Sequence, residues 1–308
     1  MEAEIREQPA ALASQCDRYL RELSQIIGSN RYEMVLIAAR GSSDHAALYA
    51  RYLIEVFLGI PVSLAAPSVF TRYGAKVRYP KCLCIGISQS GAAPDVAEVL
   101  EALRADGHTT LAITNTAGSK ATEVAEHSLL LGVGLEKSLP ATKTYSASLL
   151  ALYQLVSALG AAIEPCTWLP DDAWLESTHE AAVKTAPVAT SRQPLFSLAR
   201  GFNFCTALEQ ALKLMECALV PCKGYSLADF EHGPKALVDK RSGVIAFGPA
   251  PEMDCTVIQA PVTPADVPEP LQPIWDAFFA QWLALEAARI MHVDPDSPPN
   301  LAKVTRTL

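Results

Sequence analysis

Short, continuously apolar runs alternate along the chain with longer segments in which apolar residues recur every three or four positions. The run MVLIAA (residues 34–39) is followed by RGSS and then by the amphipathic segment DHAALYARYLIEVFLG. The run CLCIGI (82–87) is followed in the same way by SQSGA and by APDVAEVLEALRADG. Unbroken apolar runs predict buried strands, and the 3.6-residue period predicts helices. The pattern therefore predicts an α/β fold, with a parallel sheet covered by helices on both faces.

This alternation continues to about residue 165, is interrupted, and then starts again. It predicts strands at TLAITN and LLLGVG, a helix near KATEVAEHS and a long helix over KTYSASLLALYQLVSALGAAI. A Pro-rich stretch and a helical segment follow, and the strand pattern resumes at Pro194. We predict an N-terminal helix (1–29), a first α/β domain (30–165), a linker helix (166–193) and a second, shortened α/β domain with a C-terminal tail (194–308).

An internal repeat relates the two predicted domains. Residues 36–70 align with residues 196–230 at an offset of 160, so that Gly41 pairs with Gly201 and Phe70 pairs with Phe230. The pattern favours a duplicated α/β domain over two unrelated ones. The same offset places Ser88-Gln89-Ser90 opposite Gly-Pro-Ala at 248–250, so the second copy lacks the hydroxyl side chains of this loop.

Hydroxyl and amide side chains follow two neighbouring strands of the first predicted domain. These side chains are Ser42, Ser43, Ser88, Gln89 and Ser90. A strand end that opens into a helix presents backbone N–H groups and the positive end of the helix dipole, which bind anions. Gly91 allows close approach of the backbone, and Pro94 suits a first helical turn. The pattern favours a phosphate site, and the alternative is that these serines only cap helices.

Composition and missing motifs narrow the kind of ligand. No GxxxxGK[ST] occurs and no GxGxxG follows a strand, so a small phosphorylated metabolite is favoured over a nucleotide. The net charge of −8 argues against a general nucleic-acid binder. The eight cysteines show no CxxC spacing and the six histidines are scattered, which indicates buried thiols and no metal site.

The chain is long enough for two domain-sized cores, since half of its 308 residues are apolar. Its N-terminus has neither the basic start nor the apolar core of a signal peptide. No apolar run reaches the roughly 18 residues of a membrane span. We therefore expect a soluble, cytoplasmic protein that binds neither nucleic acid nor membrane.

Several motifs together resemble the double sugar-isomerase (SIS) domain family. These motifs are ARGSSDHA, SQSGAAPD, TNTAGSKATEVAEHSLLL, GLEKSLPATKTYSASLLAL, ALEQALKLMEC, DFEHGPKALV and NLAKVT. They are similar in particular to the isomerase half of glucosamine-6-phosphate synthase and to SIS-type glucosamine-6-phosphate deaminases. The resemblance implies two tandem SIS domains, each a flavodoxin-like three-layer sandwich. No glutaminase domain precedes the first of them, from which we expect chemistry with free ammonia.

By this resemblance, the sugar phosphate would be bound by Ser43, Ser88, Gln89 and Ser90, with Ser42 and Thr142 nearby. The chain departs from the synthase pattern at one position of the loop. Ala93 stands where a Thr is found in the Ser-Gln-Ser-Gly-Glu-Thr run, so one hydroxyl for the phosphate is lost.

Three charged residues of the segment TALEQALKLMEC share one helical face. Glu209, Lys213 and Glu216 are spaced i, i+4 and i+7. The opposite face is apolar and consists of Leu208, Leu212, Met215 and Leu219. Spacing alone favours a solvated face with an ordinary Glu–Lys pair. The resemblance instead implies a catalytic helix, in which Glu216 moves a proton between C1 and C2 of the sugar.

Two further catalytic residues are implied by the resemblance. His232 follows Glu216 by sixteen residues and would open the sugar ring, reaching the site from the neighbouring subunit. Imidazole suits proton transfer because it titrates near neutral pH. Lys303 corresponds to a lysine that can condense with an open-chain ketose carbonyl.

The resemblance thus implies glucosamine-6-phosphate deaminase activity, which yields fructose 6-phosphate and ammonia without a cofactor or metal, in a homodimer with shared sites. The alternatives of the same fold are a fructosyl-amino-acid 6-phosphate deglycase, a galactosamine-6-phosphate deaminase and another phosphosugar isomerase. The alternative of another class is a sugar-phosphate-sensing SIS module. A sensor would be expected to carry a helix-turn-helix, for which the roughly 30 residues before the first strand are too few and too acidic.

Overall fold

The computed structural model describes residues 1–250 and 252–301, which divide between two compact units. The first-sheet unit comprises, in its described part, Ala11–Leu135 and Thr144–Cys166. The second-sheet unit comprises Met1–Ala10, Glu136–Lys143 and Thr167–Leu301. Each unit contains one parallel sheet flanked by helices.

The first half of the chain alternates helices and strands as the apolar pattern predicts. In chain order these are α1 (Glu2–Arg6), α2 (Gln8–Ile27), β1 (Met34–Ala38), α3 (Ser42–Leu58), β2 (Val62–Leu64), α4 (Ser68–Thr71), β3 (Cys82–Ile87), α5 (Pro94–Ala105), β4 (Thr109–Thr114), α6 (Lys120–Val124), β5 (His127–Leu130) and α7 (Lys143–Ala158). The strands pair in parallel in the order β2-β1-β3-β4-β5. This is the flavodoxin-like order, whose topological switch point lies between β1 and β3.

The central strand β3 shows why this half folds as it does. All six of its residues are buried, as a strand covered on both faces requires. Helix α5 packs so closely on it that a Cβ at Gly86 would lie 2.5 Å from Leu100 Cδ1. Pro94 occupies the first turn of α5, as expected for its fixed φ and missing N–H.

The second half repeats the alternation with fewer elements. They are α8 (Asp172–Ser191), β6 (Leu195–Ala199), α9 (Phe204–Ala218), β7 (Cys222–Ser226), α10 (Leu227–Glu231), β8 (Gly243–Ala246), β9 (Thr256–Gln259) and α11 (Gln272–Ile290), with short 3₁₀ turns at 201–203, 234–237 and 269–271. The strand order is β7-β6-β8-β9, all parallel, which matches the first four positions of the other sheet. Helix α11 is apolar nearly all round and lies buried against α8 and α9.

The predicted α/β class and the parallel sheets are confirmed, whereas some predicted element ends are wrong. The strand predicted over 129–134 ends at Leu130, and the helix predicted over 143–163 ends at Ala158. No described residue between β8 and β9 is helical, as the short spacing implied. Gly41 and Gly201 both have positive φ, at 56° and 61°. The duplication and the domain bounds stay predictions.

The eight cysteines are free thiols, six of them buried, which confirms the prediction of buried free thiols. Among the helices of the described residues, none combines the length and apolar composition needed to cross a membrane.

Candidate active site

The loop after β3 forms a tight turn at the carboxyl edge of the first sheet. Ser88 is buried, and its backbone N–H donates to the Ile113 carbonyl at 3.1 Å. The Gly91 N–H donates back to the Ser88 carbonyl at 3.2 Å. Gly91 has a φ of +62°, and a Cβ there would lie 2.0 Å from Ser119 Oγ. Both facts require glycine at this position. The close approach of its backbone to a bound anion stays a prediction.

A third loop, after β4, supports this turn from beside it. Thr114 Oγ1 donates to the Gln89 carbonyl at 3.1 Å, and the Asn115 N–H donates to the same oxygen at 3.0 Å. No role was predicted for these two residues from the sequence. The sequence pattern that could have identified them is TNT, which ends an apolar strand beside the SQSG loop.

An ion pair joins the loop after β1 to the helix after β3. Arg40 Nε donates to Asp95 Oδ2 at 2.7 Å, and the Asp95 side chain is buried. Asp95 Oδ1 also accepts from the Val96 N–H in the first turn of α5. Sequence reasoning missed this pair, although an acid in a first helical turn and an arginine at an adjacent strand end were visible. The pair fixes the two hydroxyl-rich loops side by side.

The serines of these loops do not cap the helices that follow them. The N-cap residues of α3 and α5 are Gly41 and Ala93, and neither helix has a side-chain cap. The capping alternative is therefore wrong for these two helices. Both helix N-termini point their positive dipole ends to the edge where Ser42, Ser43 and the loop after β3 lie, which favours an anion there.

Thr142 lies in the second-sheet unit and is fully buried. Its Oγ1 donates to Glu136 Oε1 at 2.9 Å, and its N–H donates to the same oxygen at 3.0 Å. A role for this hydroxyl in phosphate binding stays a prediction.

The charged face of α9 is largely buried, whereas its apolar face is partly exposed. Glu209 and Lys213 have side chains exposed by 1% and 0%, whereas Met215 and Leu219 are 42% and 48% exposed. The solvated charged face favoured by spacing alone is therefore wrong. Helical spacing defines two faces but does not decide which one packs inward.

Lys213 lies between two carboxylates of this helix. Its Nζ is 2.5 Å from Glu216 Oε2 and 3.5 Å from Glu209 Oε1. Burial acts to lower the pKa of Lys213, but the charges of Glu209 and Glu216 outweigh it and raise the pKa above its ordinary value. The ammonium is therefore charged at neutral pH. The ion pair with Lys213 fixes the Glu216 side chain. That side chain is 22% exposed and so still reaches solvent.

Close packing fixes α9 on its sheet. A Cβ at Gly224 of β7 would lie 2.7 Å from the Ala207 carbonyl oxygen, so only glycine lets the helix approach this far. Cys217 follows Glu216 directly, and burial raises the pKa of its thiol to about 12. The thiol is therefore protonated at neutral pH, and a nucleophilic role is not indicated.

His232 directly follows α10, with its side chain exposed. Its N–H donates to the Asp229 carbonyl at 3.1 Å and so ends the helix. Lys303 lies outside the described residues. Within residues 1–250 and 252–301, no group of three His, Cys, Asp or Glu residues is arranged to hold a metal ion.

Comparison with known proteins shows that this chain belongs to the SIS domain family. Residues 31–158 match the SIS domain. The chain is 37% identical over 251 residues to the glutamine–fructose-6-phosphate aminotransferase [isomerizing] of Methanothermobacter thermautotrophicus. That alignment covers 80% of this chain and 42% of the relative, so the chain spans less than half the length of this curated relative.

Two solved structures share the fold over nearly the whole chain. One is the C-terminal domain of glucosamine-fructose-6-phosphate aminotransferase from Francisella tularensis, with a TM-score of 0.75, 21% identity and coverage of 96% of this chain and 97% of that one. The other is glucosamine-6-phosphate deaminase from Thermotoga maritima, with a TM-score of 0.75, 23% identity and coverage of 96% and 100%. At these identities the likeness concerns the fold.

Proposed function

Because the chain belongs to the SIS domain family, we propose that it is a phosphosugar isomerase that acts as a glucosamine-6-phosphate deaminase. The reaction converts glucosamine 6-phosphate and water into fructose 6-phosphate and ammonia. The observation that carries the proposal is the Lys213 cluster on α9, where a buried ammonium fixes a solvent-reaching carboxylate. Chemistry at C1 and C2 of a sugar needs such a positioned base.

The geometry after β1 and β3 supports a phosphorylated substrate. Two helix N-termini and two hydroxyl-rich loops meet at the switch point of the first sheet, held together by Arg40 and Asp95. Ser43, Ser88, Gln89 and Ser90 bind the 6-phosphate in this proposal. Binding energy at this unreactive end of the substrate then orients the reacting carbons.

The proposed reaction proceeds by proton transfers. His232 opens the ring by giving a proton to the ring oxygen while the C1 hydroxyl releases its proton to water, which leaves an aldehyde at C1 and the amine at C2. Glu216 takes the proton from C2 while the C1 oxygen gains a proton from water, which forms an enolamine, and Glu216 then returns a proton to C1. The C2 imine that results is hydrolysed by water, which releases ammonia and leaves the ketose carbonyl. Lys303 can condense with that carbonyl in the open-chain ketose.

We also propose that the chain functions as a homodimer, with His232 of each subunit serving the site of the other. The exposed position of His232 at the end of α10 is compatible with this arrangement. A closed two-fold dimer gives two such sites, each using residues of both subunits.

The proposal is tested by measuring ammonia release from glucosamine 6-phosphate and galactosamine 6-phosphate, and amino-acid release from fructosyl-amino-acid 6-phosphates. We expect glucosamine 6-phosphate to give the highest kcat/KM. Turnover of only a fructosyl-amino-acid 6-phosphate would show that the protein is a deglycase and not a deaminase. Binding without turnover of any of these sugars or of hexose 6-phosphates would indicate a sensor.

Glu216→Gln tests the base itself. The variant should bind substrate and fail to incorporate solvent deuterium at C1 of the product. Glu180→Gln is the matched control, because Glu180 forms an i, i+4 pair with Lys184 on α8 but is 73% exposed. The control should keep wild-type exchange. Wild-type exchange in Glu216→Gln would show that another group is the base.

A further inference from the structure

A cavity lies at the carboxyl edge of the second sheet, at a position equivalent to the switch point of the first. Strands β6 and β8 are neighbours there, and the chain leaves them in opposite directions along the sheet. The cavity has a volume of about 440 Å³ and is lined by Asn203 after β6 and by Gly248 and Pro249 after β8. Open parallel sheets bind ligands at this place, and the volume is that of a small-molecule site.

Half of the lining residues are Gly, Pro, Ala or Val, and the polar side chains among the rest are mainly amides with one acid. Asp276 is the only charged residue among the described residues that line the cavity, and Asn203, Gln259, Gln272 and Thr263 supply neutral polar groups. No hydroxyl-rich loop corresponds to the Ser-Gln-Ser loop of the first sheet. The lining therefore disfavours a phosphate and favours a ligand that donates hydrogen bonds.

Asp276 lies on α11 and is only 4% exposed. Its Oδ2 accepts from Asn203 Nδ2 at 2.8 Å and its Oδ1 accepts from Thr263 Oγ1 at 3.3 Å. Burial raises the pKa of Asp276 to about 7, although these two hydrogen bonds act to lower it. A buried carboxyl with only neutral partners destabilises the folded protein whenever it is ionised. A cationic ligand in the cavity would remove that cost.

A second cavity of about 300 Å³ shares four lining residues with the first: Asn203, Gly248, Pro249 and Gln272. It adds Arg200 and Glu269, one charge of each sign. The combined space therefore keeps an acidic excess, and it is large enough for a ligand that extends beyond its ammonium group.

We propose that this cavity of the second-sheet unit is a binding site for a small hydroxylated primary amine. The ammonium group donates to the Asp276 carboxylate, and the hydroxyl groups donate to the side-chain oxygens of Gln259 and Gln272, since the Gln259 Nε2 already donates to backbone carbonyls. None of the residues that line the two cavities is among those proposed to bind the phosphate or to act as the base.

The test uses serinol (2-amino-1,3-propanediol) and glycerol, which differ only by an ammonium group in place of the central hydroxyl. Dissociation constants are measured by ligand-observed NMR at about pH 8, with the full-length protein. We expect serinol to bind at least about tenfold more tightly than glycerol. Asp276→Asn should remove that preference, because the amide keeps the hydrogen-bonding partners and loses the charge. Equal binding of the two probes by the wild-type protein would overturn the proposal.

Two further variants locate the binding. Gln272→Phe places a larger side chain in the wall shared by the two cavities, without touching the partners of Asp276, and should also abolish serinol binding. Ser88→Ala/Ser90→Ala should leave serinol binding unchanged. Loss of binding in the serine variant would place the amine at the phosphate loops and refute the second site. Retention in both Asp276→Asn and Gln272→Phe would refute it as well.

Discussion

Asp276→Asn should change how the stability of the second-sheet unit depends on pH. The Asp276 carboxyl has a pKa of about 7 when folded, against an ordinary value of 3.8. Between these values the folded protein holds a proton that the unfolded chain releases. The contribution of this group to stability is therefore complete below about pH 4 and is lost as the pH rises through about 7. Asparagine cannot ionise, so the variant lacks this dependence.

The size of the effect follows from the same two pKa values. Over the whole titration of Asp276, the free energy of unfolding falls by about 4 kcal/mol, because the two pKa values differ by about three units at 1.36 kcal/mol each. Between about pH 5.5 and pH 8.5 the wild-type protein should lose about 2 kcal/mol relative to the variant. Because Asp276 is fully buried, solvent screening does not reduce this figure substantially.

The assay is urea unfolding followed by tryptophan fluorescence. All four tryptophans (Trp168, Trp174, Trp275 and Trp282) lie in the second-sheet unit, so the signal reports on the unit that contains Asp276. Other titrating groups act alike in both proteins and cancel in the difference. A difference between the two proteins that stays constant with pH would refute the buried, cation-free environment deduced for this carboxyl. A difference of the opposite sign would refute it equally.

Three further outcomes are expected. Ser88→Ala/Ser90→Ala should raise KM far more than it lowers kcat, since each charge-assisted hydrogen bond to phosphate contributes roughly 1.5–3 kcal/mol; an unchanged KM would place the phosphate elsewhere. His232→Ala subunits mixed with Ser88→Ala/Ser90→Ala subunits should give heterodimers with about half of the wild-type activity, and inactive purified heterodimers would show that His232 serves its own chain. Lys213→Met should destabilise the protein by about 3–5 kcal/mol in urea unfolding, and adding Glu209→Gln should recover most of that loss; failure to recover would show that the buried charge of Glu209 is not the cause.

The sequence alone determined the fold class and the position of the phosphate-loop candidates. The run at 82–87 is apolar at every position because a central parallel strand is covered on both faces, and the structure buries all six residues. Polar residues after such strands must lie at the carboxyl edge, since each strand leads there into its helix. The sequence pattern therefore suffices to predict that the Ser42–Ser43 and Ser88–Ser90 loops lie at this edge, and the structure makes β1 and β3 neighbours.

The tertiary structure decided what periodicity leaves open. The spacing of Glu209, Lys213 and Glu216 defines a stripe. The close contact of α9 with Gly224 and the pairing of Lys213 with both carboxylates allow that stripe to lie inward. Likewise, Arg40 and Asp95 are 55 residues apart, and only the adjacency of β1 and β3 makes them partners.

Asp276 shows most clearly what the sequence alone does not determine. In the sequence it is one acid in an apolar helix, and nothing local shows that it meets Asn203, 73 residues away, beside a cavity. Burial and charge environment are properties of the packed elements together, because they depend on every chain segment that displaces water from the group. A sequence pattern shows which faces a helix or strand has. Packing decides which ionisable groups lose contact with water and therefore acquire shifted pKa values.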